Sequence, residues 1–427
     1  MKKEETVEDV LTLARQRTAQ VFDRYDLPSV SFSGGKDSTV VLNLAIEEMN
    51  KRKEDGRLPK DYKLDVFFWD EEAIHPETID YVRRVADLPD IRFRWLCVPI
   101  KHVNACSKQH PFWYCWDPDI KEKWCRELPH DAITELEGFE RESHADSIGC
   151  LFPKKDMLTV GVLMGIRADE SLRRFRSVSH RREDNWISNF HNGKRIAICK
   201  PIYDWNTLDV WTAPHQFGWD WNRAYDVMAK AGLRPHSQRV CHPFGQQPLQ
   251  NLWMWRLCWP DLWERLCERV PGANTAMKYA KSPLYAAGGK ATKREDESWE
   301  EAVAREMSLW NDKIQKQIAI RLRNEMIKHN RYHPGIPLPA TVPHVDLVRG
   351  ISSGLTWDFL LKIAIKGDIK NRLNPPLLGR EWINEQREAA WGENWEEKYP
   401  SIAAKTFWSS KEGKWYTPEE AKELGLL

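Results

Sequence analysis

Residues 33–38, Ser-Gly-Gly-Lys-Asp-Ser, set two adjacent glycines, a lysine, an aspartate and two hydroxyls between an apolar run and a helical one. Each residue type has a use at an anion. Gly34 and Gly35 let the backbone turn tightly and approach a ligand with no Cβ in the way. A helix that begins here presents unpaired N–H groups and the positive end of its dipole to a phosphate. Ser33 and Ser38 add hydroxyl donors, Lys36 adds positive charge, and Asp37 can hold Mg²⁺ directly or through water. Any one of these residues alone would read as an ordinary capped turn, whereas the combination points to a phosphate loop. The spacing is not that of the common P-loop, which needs four residues between its first glycine and Gly-Lys-Ser/Thr.

Other chemistry-bearing residues are scattered more widely. Asp70 and Glu71 close the apolar run at 63–70, and Arg167, Arg173 and Arg174 follow the run at 157–165. The segment RRFRSVSHRR (173–182) is strongly basic, which fits a solvated helix face, a site for pyrophosphate or a sulfate-like anion, or contact with nucleic acid. Cys106, Cys115, Cys125 and Cys150 lie among His102, His110, His130 and His144. Their spacings fit no standard zinc or iron–sulfur pattern, and buried thiols are the simpler reading. His242, beside Pro-Phe-Gly, either lines a cleft or packs in a turn, and the turn is the simpler reading.

These residues need a frame. PSVSFS (28–33), KLDVFFWD (63–70), IRFRWLCVPI (91–100), MLTVGVLMG (157–165) and KRIAICKPI (194–202) read as short, buried strands. Helical segments separate them, starting with 37–50. This alternation predicts an α/β fold with a doubly wound, mostly parallel, five-stranded sheet. After Pro201 the chain becomes helix-rich, with a helix start at Asn206 or Thr207 and Asp209 in its first turn. A long helical pattern spans about 298–329, a proline-rich connector covers 333–343, and Thr356 is placed to cap a last helix. The expected division is an N-terminal helix (1–24), the α/β domain (25–212), a Trp-rich helical domain (213–332) and a helical extension (333–427).

The loop resembles the PP-loop of the ATP pyrophosphatase (adenine nucleotide α-hydrolase) superfamily. There the loop grips the β,γ-pyrophosphate and leaves the α-phosphorus open to attack. WDEEAIHPETIDYV (69–82) looks like the acidic segment of sulfate adenylyltransferase small subunits and PAPS reductases. GIRADESLRRFR (165–176) resembles their Gly-x-Arg-x-x-Glu/Gln-Ser segment, and KPIYDWNTLDVW (200–211) their closing signature. The resemblance implies ATP and Mg²⁺ as ligands. Ser33 to Ser38, Asp70, Glu71, Arg167, Arg173 and Arg174 would line the nucleotide, Lys36, Asp37 and Arg167 would be catalytic, and Asp37 would bind the metal. The second half is similar to a branch with a C-terminal domain of unknown function, including immunoglobulin-binding regulators that act with a ParB-like partner.

With 41% apolar residues, 30% charged residues and a net charge of +1, the 427-residue chain has the composition of a soluble protein, without a field that draws it to nucleic acid or membrane. No run is apolar and long enough to span a bilayer, and a cytoplasmic protein is expected. Most of the 22 tryptophans are expected in cores. PAPS reductases use a cysteine in a C-terminal tail, whereas the last cysteine here is Cys267, so reduction is the disfavoured reading. Two classes stay open: an ATP-cleaving enzyme that adenylylates a sulfur compound or nucleic acid, and a nucleotide-binding regulator. Self-association is compatible with either.

Overall fold

The computed structural model describes residues 9–141, 148–152, 158–170, 174, 175, 178, 185–189, 195–246, 248–279, 293–341 and most of 350–403, with short pieces beyond. The expected doubly wound sheet is present. Strands β1 (Leu27–Ser31), β2 (Leu64–Trp69), β3 (Ile91–Leu96), β6 (Val160–Met164) and β8 (Ile196–Cys199) run parallel. Their order across the sheet is β3-β2-β1-β6-β8. The short β7 (Ile187–Asn189), absent from the sequence reading, adds an antiparallel edge on β8. Three residues on an edge carry too little pattern to be seen in sequence. A separate antiparallel pair, β4 (Lys101–Val103) and β5 (Phe112–Tyr114), follows β3.

The central parallel strands are largely buried, whereas β3 at the edge exposes Arg92. In β2 the residues Leu64 to Phe68 are all buried. Phe67, Leu96, Val160, Val162 and Ile196 share one core cluster with Leu151 and Phe152. Helices α1 (Val10–Arg24), α2 (Lys36–Glu54) and α3 (Pro76–Ala86) complete the first part of the fold. In α2, Asp37 occupies the first turn and Lys51, Arg52 and Lys53 the last, matching the helix dipole.

Helix α4 (Thr207–Phe217) begins at Asn206, which the sequence offered as one of two caps. The Asn206 side chain accepts from Leu208 N at 2.7 Å and Asp209 N at 3.1 Å, and Asp209 returns the bond to Asn206 N at 2.7 Å. Helices α5 (Ala224–Lys230), α6 (Leu252–Cys258), α7 (Pro260–Arg269) and α8 (Ala273–Tyr279) follow. Tryptophans 95, 116, 205 and 255 are each at most 2% exposed, so they are core residues.

The chain divides into two compact units, one of residues 1–107 and 112–280, the other of 108–111 and 281–427. This division differs from the expected break at 212. The reason is local: segment 213–279 packs on the sheet, with Asn222 bonding to Gly34 O at 2.8 Å and to Thr78 Oγ1 at 2.9 Å. In the second unit, the pattern at 298–329 resolves into α9 (Trp299–Ser308) and α10 (Asp312–Tyr332). Asn311 breaks it by capping Ile314 N at 3.0 Å. Thr356 precedes α11 (Trp357–Lys366), but its hydroxyl donates to Asp358 Oδ1 at 2.5 Å and caps no backbone N–H.

Candidate functional site

The sheet order reverses at β1, whose neighbours β2 and β6 are reached in opposite directions. A crevice opens at such a switch point, beyond the carboxyl ends of the strands, and doubly wound folds bind ligands there. Residues 33–38 leave β1 at that place, and Gly165 and Arg167 leave β6 beside it. The register Ser31↔Met164 brings the two segments side by side.

The loop is tightly determined. Gly34 has φ +70°, and a Cβ there would lie 2.9 Å from Thr78 Cγ2. Gly165 passes so close to the loop that its Cβ would lie 2.6 Å from the Asp37 carbonyl carbon and 2.7 Å from Ser38 N. Ser33 and Ser38 hydroxyls are 3.0 Å apart, and Ser38 Oγ donates to Gly35 O at 2.9 Å. Gly35 is the N-cap of α2 and supplies no side-chain cap to its first turn. The Lys36 N–H donates to the Tyr225 hydroxyl at 3.0 Å.

Three of the expected residues form one charged unit. Asp37 Oδ1 accepts from Arg167 Nε at 2.5 Å, and Oδ2 accepts from Lys36 Nζ at 3.0 Å. The Arg167 side chain is only 2% exposed, and Asp37, with Trp205 O and Asp169 at its other end, compensates this buried charge. Arg174 pairs with Glu170. Burial lowers the Arg174 pKa, the Asp37 carboxylate opposes that, and the nearby Arg239 and Arg167 add to it. Asp37, Arg167 and Arg239 thus all lie within electrostatic reach of Arg174, while Asp169 stands 3.6 Å from Arg167 Nη1. Arg173 and most of the basic segment 173–182 lie outside the described residues.

As a direct Mg²⁺ ligand, Asp37 does not fit this arrangement, because each of its oxygens already holds a cationic side chain. The acidic segment after β2 also divides its labour. Asp70 is fully buried and accepts from Trp95 Nε1 at 2.7 Å, Glu72 N at 2.9 Å and Arg126. Glu72, at φ +61° and fully buried, accepts from Arg269 Nε at 2.9 Å and from Trp116 N at 2.6 Å. Both acids brace the backbone. Glu71 alone is partly open, and it faces His102 and His242: its Oε2 accepts from His242 N at 3.0 Å. Burial would raise the Glu71 pKa, but His102, His242 and that N–H together hold it below the usual carboxylate range.

Several site residues went unnoticed in the sequence. Tyr225 and Asn222 hold the loop from positions nearly 190 residues away, and Arg239 joins the cationic group. AYDVMAKAG stood out only as a resemblance, with no signal for a hydroxyl that meets Lys36. Beside the loop, a cavity of about 240 Å³ is lined by Lys36, Thr39, Trp211, Pro214, Trp221 and Tyr225. Its largely apolar, aromatic walls suit a flat ring.

Residues 27–226 match the phosphoadenosine phosphosulfate reductase domain, and residues 232–336 match DUF3440, a domain of unknown function. The chain is 30% identical over 384 residues to the uncharacterized Escherichia coli (strain K12) protein YbdN, covering 84% of this chain and 88% of YbdN. Among solved structures, Candida glabrata FMN adenylyltransferase in complex with FAD and inorganic pyrophosphate is similar with a TM-score of 0.34 and 13% identity. That overlay covers 52% of this chain and 63% of the other, so the chain spans under two thirds of it. Candida auris phosphoadenylyl-sulfate reductase, in a phosphate complex, gives a TM-score of 0.28 and 14% identity over 53% of this chain and 94% of that one. No helix among the described residues is long and apolar enough to cross a membrane.

Proposed function

Because the chain belongs to the phosphoadenosine phosphosulfate reductase-domain family, in the branch that joins this domain to DUF3440, we propose that it binds ATP through residues 33–38 and cleaves it between the α and β phosphates. The observation that carries this reading is the start of α2 at the switch point, which Gly35 leaves without a side-chain cap, with Lys36 and Arg167 both held on Asp37 and Arg174 within electrostatic reach. Such a site stabilises negative charge with donors fixed in advance, and one contact of this kind contributes about 2.7–4 kcal/mol to a transition state.

In the proposed reaction an acceptor attacks the α-phosphorus. The bond from that phosphorus to the α,β-bridging oxygen breaks, and pyrophosphate departs with the electron pair. Lys36 and the first-turn N–H groups of α2 take the charge of the leaving pyrophosphate. Arg167, displaced from Asp37 towards the nucleotide, serves the α-phosphate. Asp37 is a positioning residue that holds both cations ready. Bound Mg²⁺ would supply charge neutralisation, while residues 33–38 of this chain orient the phosphates. Glu71 stands at the same sheet edge, whereas Asp70 is assigned to the scaffold.

Burial pushes the Cys106 and Cys241 thiols up to about 12 and Cys267 up to about 11, which argues against attack by these three. A thiol held this far above neutral pH is a poor nucleophile. The test is incubation of the full chain with Mg-ATP labelled at the α-phosphate, with and without candidate acceptors, resolving AMP or an AMP adduct plus pyrophosphate from ADP plus phosphate. Steady ADP formation would overturn the reading. Tight ATP binding with neither product under any acceptor would support the regulator instead, and sulfite release from PAPS with thioredoxin would restore reductase chemistry.

A further inference from the structure

We propose that Glu71, His102 and His242 form a binding site for a divalent transition metal of the zinc class. The candidate ligand atoms of these three residues lie within 4.8 Å of one another. Zinc bonds of about 2.0–2.1 Å in a tetrahedron need ligand atoms roughly 3.4 Å apart, so a small inward movement of three side chains closes the site. His102 Nε2 already stands 3.9 Å from Glu71 Oε1.

The surroundings are built as a ligand set requires. Glu71 follows β2, His102 lies in β4, and His242 comes from the segment before α6, so three separate elements meet here. The His102 and His242 rings have centroids 4.4 Å apart, and Trp113, 4% exposed, walls both at 5.5 and 5.7 Å. The second Glu71 oxygen is held by the His242 backbone N–H at 3.0 Å, a bond that orients the carboxylate from outside. His242 Nδ1 is buried with no hydrogen-bond partner among the described residues, a cost that a metal ion would remove.

The donor set selects the ion. Two imidazoles and one carboxylate suit zinc and its first-row neighbours, while Mg²⁺ and Ca²⁺ take oxygen ligands. Three protein ligands leave a fourth position open, the arrangement of zinc sites that bind water or substrate. Glu71 follows β2 and residues 33–38 follow its parallel neighbour β1, so both leave the same edge of the sheet, but metal binding does not depend on the ATP reading.

The experiment uses the full chain, stripped with chelator and dialysed. Zn²⁺ is titrated calorimetrically, and Co²⁺ by its visible absorption, whose intensity reports a tetrahedral site. One ion per chain is expected, unaffected by a large excess of Mg²⁺. His242→Asn and His102→Gln should each weaken Zn²⁺ binding by about 100-fold or more, since even outer partners of a ligand are worth 10–100-fold. Glu71→Gln provides a third variant should either histidine change disturb folding, which circular dichroism monitors. Cys258→Ser and Cys267→Ser should leave binding unchanged. Absence of binding to the wild-type chain overturns the proposal, as does Zn²⁺ binding that survives all three ligand changes and responds to the cysteines.

Discussion

Substitutions at Gly35 separate the contributions of charge, size and backbone donors at the loop. Gly35 caps α2, and its Cβ would sit 3.2 Å from Ser33 Oγ and 3.4 Å from the Tyr225 hydroxyl. Both contacts are tight but tolerable, and φ at this position is −85°, which any residue adopts. Aspartate is also a favoured N-cap, so Gly35→Asp should change folding stability by only a few tenths of a kcal/mol. Its effect on ATP should be far larger. The carboxylate would accept the first-turn N–H groups meant for phosphate, a loss of about 1.5–3 kcal/mol for bonds to a charged ligand. It would also set a negative charge about 4 Å from another, costing about 4 kcal/mol at an effective dielectric of about 20. The charge term alone is roughly a thousandfold in Kd at about 1.4 kcal/mol per tenfold. Gly35→Asn keeps the capping and drops the charge, so it should lose only about 10–100-fold. Gly35→Ala, with neither, should lose about threefold. Calorimetric titration with Mg-ATP measures the three affinities, and urea midpoints confirm that folding is intact. If Gly35→Asp binds Mg-ATP within about threefold of wild type, residues 33–38 are only a turn, and the reasoning from them is wrong.

Two further outcomes follow from close packing. Gly165→Ala drives a Cβ into the backbone of Asp37 and Ser38, which cannot yield as a side chain would, so it should cost about 1–3 kcal/mol and weaken ATP binding; a wild-type urea midpoint and Kd would show that the approach is not tight. His75 is buried against Trp255 and Trp259, with ring centroids 4.1 and 4.6 Å away, and burial holds its pKa at about 3. The unfolded chain therefore binds a proton below about 6.5 that the folded chain refuses down to about 3, so stability is present above 6.5 and falls as pH drops through that window, by up to about 1.4 kcal/mol per unit. Urea midpoints at pH 7 and 5 should converge in His75→Phe relative to wild type; equal acid slopes in the two proteins would refute the assignment.

Contiguous residues determined the local features. The loop at 33–38, the parallel strands and the cap at Asn206 were legible because turn geometry, burial pattern and capping are written within a few positions. The paired role of Asp37 was not, since Arg167 reaches it from 130 positions away. Asp70 and Glu71 look alike in sequence, yet Trp95 and Arg126 bury the first while the second stays open beside two histidines. His102 and His242 carried no ligand spacing, because β4 and the segment before α6 meet only once the sheet is assembled, 171 positions separating Glu71 from His242. The break between units moved for the same reason: Asn222 and Tyr225 belong to the loop by packing, whatever the composition around Pro201 suggests. Chemistry carried by one segment is set by its own residues, while the partner, charge state and accessibility of each group depend on which distant elements the folded sheet brings against it.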